Sequence, residues 1–254
     1  MATDVKQYLR PGIITPFCPG CGDRILVRLI LTAIDELKIN IDDMLFVSGI
    51  GCAAWIPSPH FNADTLHTLH GRAIAFATGA KLFNPKLITM VVSGDGDLAS
   101  IGGNHLIHAA RRNIDLTVIC ANNMVYAQTG GQLAPTTPMG SSTSTTVEGN
   151  LERPFDLCKL VNAAGAAYTA RYSVSQPSLL ISSIKKALQT EGFSFIEVIS
   201  PCYTQFGRRN RLDSPANTLK FFADKCIMKE DAEGLSPEEL KDKIITGEFS
   251  NGRS

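Results

Sequence analysis

LITMVVSGDGDLASIGGNHLIHAARRNIDLTVICANN, residues 87–123, decides the fold. Its two apolar runs, 87–93 and 116–121, are continuous rather than alternating, as strands buried on both faces are. Each run stops at polar turn residues: Gly94-Asp95-Gly96-Asp97 after the first, Asn122-Asn123 after the second. Between them, about 103–112 has helical spacing. The same alternation continues outward. Toward the N-terminus a short buried strand, 44–48, runs into Gly49-Ile50-Gly51, and small residues recur at helical spacing over 71–83. A helix from about 22 places Leu26, Leu29, Ile30, Ala33 and Leu37 on one face, with Asp23 in its first turn, where the helix dipole favours an anion. Toward the C-terminus, helices are expected at about 154–164, with Pro154 in the first turn, and at about 177–190, from Pro177 to near Gly192. Strands are expected at about 167–172 and 195–199, the second ending at Pro201-Cys202. The pattern predicts an α/β fold, a largely parallel sheet with helices on both faces. Residues 1–210 form one domain with a loop-like first 21 residues, and 211–254 form a more polar C-terminal extension with one charged helix near 236–245. The Gly-, Thr-, Ser- and Pro-rich stretch 126–150 is too long for a simple connector and is expected to be a functional or partly mobile loop.

Composition removes several classes of function. Lys and Arg number 24, as do Asp and Glu, so the net charge is zero and gives no electrostatic case for nucleic acid or an anionic membrane. No apolar run approaches the roughly 20 residues of a membrane span. The start, MATDVKQYLRPG, lacks the pattern of a signal peptide. Seven scattered cysteines, an odd number, fit metal binding or reactive thiols in a reducing cytoplasm better than a secreted disulfide framework.

In parallel sheets, ligands bind beyond the carboxyl ends of the strands. Four conspicuous segments follow predicted strands: 49–55, 94–97, 122–128 and 201–209. All four should therefore face one side of the sheet. Asp95 offers a hard oxygen ligand at a strand end, Asn123 an amide oxygen, and a nearby main-chain carbonyl a third ligand, which together suit magnesium on a diphosphate. The glycines around Asp95 let backbone N–H groups approach phosphate oxygens. The spacing of GDG to paired asparagines resembles the diphosphate-binding signature of thiamine diphosphate enzymes.

Cys18-Pro-Gly-Cys21 has the tight spacing of a metal-ligand pair. With Cys52 and Cys202 it would bring four thiolates from three loops, suited to a [4Fe–4S] cluster or to zinc; a Cys-x-x-Cys alone could also be a redox pair. Cys120 and Cys158 read as core, and Cys226 has no evident partner. Among the histidines, His70 is the best placed to touch a phosphate. His60 and His67 read as loop residues, His105 and His108 as packing and capping, and Arg208-Arg209 as solvated.

Taken together, the chain resembles the β subunits of the 2-oxoacid:ferredoxin oxidoreductases, and within them the enzymes acting on 2-oxoglutarate. The resemblance rests on CPGCG at 18–22, GIGCA at 49–53, His70 with the GRAIAFATG that follows it, SGDGDLASIGGNH at 93–105, NNMVYAQTGGQ at 122–132 and PCYTQFGRRN at 201–210. It implies that Cys18, Cys21, Cys52 and Cys202 ligate a [4Fe–4S] cluster, and that Asp95, Asn123 and the Val125 carbonyl hold Mg2+. It implies that Ile50, Gly51, Cys52, Ala53, His70, Gly96, Asp97, Ala127 and Gln128 line thiamine diphosphate, with His70 the catalytic candidate. The implied reaction is oxidative decarboxylation of a 2-oxoacid with coenzyme A, giving an acyl-CoA, carbon dioxide and reduced ferredoxin, and it is reversible. The implied partners are an α subunit carrying the pyrimidine-binding domain and a ferredoxin or ferredoxin-like subunit. The chain itself holds only one domain's worth of alternating elements. Glu148 and Glu152 lie in a polar linker and Glu197 inside a strand, so none is placed to serve the aminopyrimidine.

One departure bears on substrate. Some archaeal relatives of broad specificity carry lysines in the loops corresponding to 52–55 and 128–131, where this chain reads Cys-Ala-Ala-Trp and Gln-Thr-Gly-Gly. Arg208 or a partner subunit would then supply the charge for a second carboxylate, or the substrate is less acidic than 2-oxoglutarate, such as pyruvate or a branched-chain 2-oxoacid. The competing classes are a non-redox thiamine enzyme and a zinc-stabilised scaffold without activity.

Overall fold

A computed structural model describes residues 5–250. The first four residues, part of the stretch read against a signal peptide, and the last four of the C-terminal extension lie outside the described residues. After a short 3-10 turn at Val5–Tyr8, α1 spans Gly22–Glu36 and buries Leu26, Ile30 and Ile34. Leu37 falls just past its end as the C-cap. Then follow β1 (Met44–Ser48), β2 (Asp64–His67), α2 (Ala73–Phe83), β3 (Ile88–Gly94), α3 (Gly103–Arg111) and β4 (Leu116–Asn122). A small hairpin pairs β5 (Val125–Tyr126) with β6 (Gln132–Leu133). The chain continues through α4 (Leu157–Ala164), β7 (Tyr168–Ser173), α5 (Pro177–Gln189), β8 (Phe193–Ile199), α6 (Pro215–Lys225), β9 (Cys226–Met228) and β10 (Ile244–Glu248).

Eight strands form one sheet in the order β2-β1-β3-β4-β8-β7-β10-β9. The first six are parallel, and β10 joins β7 antiparallel. The continuous apolar strands are explained by the layers: successive residues face opposite cores. Phe46, Met90, Ile119 and Ile196 pack under α1 and α5, whereas Val47, Val91, Cys120 and Phe195 pack under α2, α3 and α4. Cys120 and Cys158 are core residues, as read from sequence.

Four local expectations change. Strand β2 was not foreseen; its short DTLH run carries no apolar pattern and is placed by pairing with β1. Helix α4 starts at Leu157 because the Asp156 side chain caps it by accepting from Lys159 N, so Pro154 lies before the helix rather than in its first turn. The charged helix near 236–245 is a single turn, Pro237–Leu240, closed by a Ser236–Glu239 capping box. A turn follows at Lys241–Asp242, and from Ile244 the chain is β10, drawn into extended form by pairing with β7 and β9. Finally, 126–150 is a hydrogen-bonded lobe: Ser144 N donates to Gly131 O, Thr146 N to Thr143 Oγ1, and Asn210 Nδ2 to Ser142 O.

Candidate active site

Strands β1, β3, β4 and β8 are consecutive in the middle of the sheet and parallel, so the loops leaving their carboxyl ends meet at one edge. The four conspicuous segments of the sequence are these loops.

Asp97, in the second of them, ties the loop at 50 to the segment at 70–71. Its Oδ1 accepts from Ile50 N (3.0 Å) and Gly71 N (2.7 Å) and lies 2.8 Å from His70 Nδ1; its Oδ2 accepts from Ser93 Oγ (2.8 Å). The approach is close enough that a Cβ at Gly49 would fall 2.1 Å from Asp97 Oδ2, so position 49 needs glycine. A π-turn, closed by Gly102 N donating to Asp97 O (3.2 Å), directs the residue inward. With this carboxylate as acceptor, His70 Nδ1 carries the proton and Nε2 is left as the free ring nitrogen. Asp97 borders the cleft, but its carboxylate serves protein donors.

Asp95 is fully buried. The Thr136 hydroxyl donates to its Oδ2, and the backbone N–H groups of Asn123 and Gly96 also point at the carboxylate. Burial nevertheless pushes its pKa up to about 7. A divalent cation would reverse that balance by stabilising the carboxylate. Across the cleft, Asn122 and Asn123 form two successive side-chain turns: Asn122 Oδ1 accepts from Met124 N (2.9 Å), and Asn123 Oδ1 from Val125 N (3.1 Å). Met124, which follows them, has φ 67°, which turns the chain sharply.

Ile50, Gly51, Cys52, Ala53, His70, Asp95, Gly96, Asp97, Asn123, Val125, Ala127 and Gln128 all line one cleft. Gly94 completes it, as do Tyr126 and Thr129, which were not singled out from sequence. The Tyr126 ring packs so closely on Gly96 that a Cβ there would lie 2.4 Å away. Its position four residues after Asn122, in the same strand-end loop, was the available signal. Thr136 and Asp23 were also missed as site residues, because nothing in a threonine-rich stretch or a first-turn aspartate marks what it faces.

A second cavity, about 860 Å³, adjoins the first and shares Cys52, Ala127 and Gln128 with it. Cys18, Cys21, Cys52 and Cys202 all line it, with Phe17 and Trp55. Burial raises the thiol pKa of Cys21 and Cys202, and that of Cys52 to about 12; the Asp23 charge adds to each. Backbone N–H groups of Asp23, Gln205 and Phe206 point at the sulfurs of Cys21 and Cys202 and oppose the rise. Asp23 stands in the first turn of α1, as expected from sequence, but is turned inward. It is 1% exposed, Ser200 Oγ donates to its Oδ1 (2.5 Å), and its Oδ2 is buried without a partner. Among the described residues, no group of three or more His, Cys, Asp or Glu is gathered closely enough to hold a single metal ion. The cysteines instead surround an open space, with N–H donors aimed at sulfur, and this suits a multi-iron cluster, whose ligands stand further apart.

The remaining candidates have structural partners. His60 stacks on Phe17 at 5.3 Å, and His67 Nδ1 lies 3.4 Å from Ser48 Oγ. His105 Nε2 meets Arg72 at 3.1 Å, and His108 Nδ1 meets Arg111. Arg209 is not simply solvated: it bonds Gln205 and Gly130 O and braces the 127–131 loop. Arg208 lies over the Tyr203 ring. Neither arginine lines the cleft, and no lysine does. Among the described residues no helix is long and apolar enough to cross a membrane.

Residues 49–198 match the family model described as "Thiamine pyrophosphate enzyme, C-terminal TPP binding domain". The chain is 52% identical over 235 residues to the 2-oxoglutarate synthase subunit KorB of Methanothermobacter thermautotrophicus, covering 92% of this chain and 82% of that protein. It is 38% identical over 237 residues to the 2-oxoacid:ferredoxin oxidoreductase subunit beta of Saccharolobus solfataricus, covering 90% of this chain and 74% of that one. Among solved structures it superposes on a 2-oxoglutarate:ferredoxin oxidoreductase from Magnetococcus marinus, crystallised with 2-oxoglutarate, coenzyme A and succinyl-CoA. The TM-score is 0.87 and the identity 31%, over 99% of this chain and 86% of that one.

Proposed function

The chain belongs to the thiamine-diphosphate-binding β subunits of the 2-oxoacid:ferredoxin oxidoreductases, and from that premise we propose that it acts on 2-oxoglutarate, forming succinyl-CoA within a hetero-oligomer. The observation that carries this is the pair of adjoining cavities, one floored by Asp95 and Asn123 and the other walled by four cysteines, with Cys52 common to both. Support for the substrate comes from the relatives at about 52% identity, which are named for 2-oxoglutarate.

In this reading Asp95, Asn123 and the Val125 carbonyl hold magnesium, whose charge compensates both the buried carboxylate and the diphosphate. Thiamine diphosphate, when bound, supplies the ring that stabilises a carbanion after decarboxylation. A [4Fe–4S] cluster on Cys18, Cys21, Cys52 and Cys202 supplies the one-electron path to ferredoxin. The chain's own residues prepare the site. Asp97 fixes the loops at 50 and 71 and orients His70, so that Nε2 is available to exchange a proton or bind an anionic oxygen. Tyr126 and Gly96 pack together and close one wall of the cleft. Because no lysine or arginine lines the cleft, the second carboxylate of the substrate is met by a partner subunit. The α subunit also supplies the carboxylate for the aminopyrimidine, and an electron-carrier protein takes the electrons.

The test is anaerobic purification of the chain with its co-expressed partners, followed by an assay across 2-oxoacids with coenzyme A and ferredoxin. The complex should turn over 2-oxoglutarate ahead of pyruvate and branched-chain 2-oxoacids, and the isolated chain should be inactive. Preference for pyruvate would overturn the substrate, and robust turnover by the isolated chain would overturn the division of the site.

A further inference from the structure

Behind the turn that carries Asn123 lies a chain of buried polar contacts that the mechanism above does not use. Glu197 sits in the middle of β8 and is 2% exposed. A carboxylate there is costly unless fully partnered. Its Oε2 accepts from Arg171 Nε (2.8 Å), and its Oε1 accepts from Asn122 Nδ2 (2.7 Å). Arg171, on β7, is itself anchored by Asp156 Oδ1 (2.5 Å), Ile245 O (3.1 Å) and the face of Phe249. Asn122 thus uses both ends of its amide, donating to Glu197 and accepting from Met124 N. That second bond pins Met124 in the left-handed conformation, which side chains other than glycine adopt at a cost. Among the described residues, the other side-chain hydrogen bond to the Met124 backbone comes from the Thr137 hydroxyl to its carbonyl (2.6 Å).

We propose that Glu197, held by Arg171, is a positioning residue that acts through Asn122 to fix the turn presenting Asn123, and so sets the divalent-cation affinity of the diphosphate site. This rests on the reading of Asn123 as a magnesium ligand. A buried ion pair is poor evidence for a stabilising role, since well-packed apolar groups often do as well. What apolar groups cannot supply is the directed acceptor that orients the Asn122 amide. Outer-shell partners of this kind typically alter metal affinity when removed.

The experiment measures thiamine diphosphate binding as a function of Mg2+ in the assembled complex, for Asn122→Ala, Glu197→Gln and Asn123→Ala. Asn122→Ala leaves the Arg171–Glu197 pair intact and should raise the half-saturating Mg2+ about 10- to 100-fold, with iron content unchanged. Glu197→Gln keeps an oxygen for the Asn122 amide and should lie nearer to the wild type. A Mg2+ requirement unmoved in Asn122→Ala, while Asn123→Ala raises it, would overturn the relay alone. If Asn123→Ala also leaves it unmoved, the magnesium reading falls and the relay with it. A shift in Asn122→Ala matched by Ile34→Ala, a buried core position near the C-terminal end of α1, would show mere destabilisation and would also overturn the proposal.

Discussion

The two adjoining cavities are built differently. In the diphosphate cleft the charged groups mostly have protein partners: Asp97 takes donors from the loops at 50 and 70–71 and from Ser93 on β3, and Asp95, although burial raises it, takes the Thr136 hydroxyl and backbone amides. Its geometry is set before a ligand arrives, which is what a site for a rigidly held cofactor requires. In the cysteine cavity the groups are gathered but not settled. Three thiols are pushed up by burial, and Asp23 keeps an oxygen without a partner. In the proposed reading such a site would be completed by what it binds, because iron would displace the thiol protons and contribute the positive charge the region lacks. Cys52, common to both cavities, joins the preformed site to the ligand-completed one.

Removing one charge from each region separates them. Asp95→Ala should weaken Mg2+-dependent thiamine diphosphate binding by about 100-fold or more, since the carboxylate proposed to hold the metal is lost while its buried surroundings stay polar. Calorimetric titration would measure this, and iron content should not change; near-normal affinity would break the distinction from the cleft side. The smallest effect is expected from Cys120→Ser, which tests whether buried thiols in general matter to iron. Cys120 faces the apolar core under α2 and α3, so a hydroxyl there should cost about 1–3 kcal/mol of stability. Iron loading and cofactor affinity should remain as in the wild type. A loss of iron would mean that the cavity is not the only cysteine site.

How legible all this was in the sequence depended on whether a residue's role is local. The parallel sheet was legible, because β3, β4 and β8 are continuous apolar runs and both sides of a buried sheet demand such runs. The meeting of the four strand-end loops was legible for the same reason. Strand β2 and strand β10 were not: Asp64–His67 and Ile244–Glu248 are extended only because β1 and β7 offer edges to pair with. In the site, Asp95 and the four cysteines stood out because they lie in short local motifs, and the structure brings them to two adjoining cavities. Asp97 was found but assigned to the cofactor, although its carboxylate faces backbone and side-chain donors from other loops. Glu197 was set aside as an ordinary strand residue. Its partners Arg171 and Asn122 are distant in sequence and adjacent only across β7, β8 and β4.

The most direct test of the two-cavity account is to purify the Cys202→Ser complex anaerobically and measure iron and thiamine diphosphate binding on the same sample. Serine is a poorer ligand for iron than cysteinate, and Cys202 lines only the cysteine cavity. The account predicts lowered iron and no ferredoxin reduction, with thiamine diphosphate still bound at close to wild-type affinity. Full iron loading in Cys202→Ser, or loss of thiamine diphosphate binding together with the iron, would contradict it.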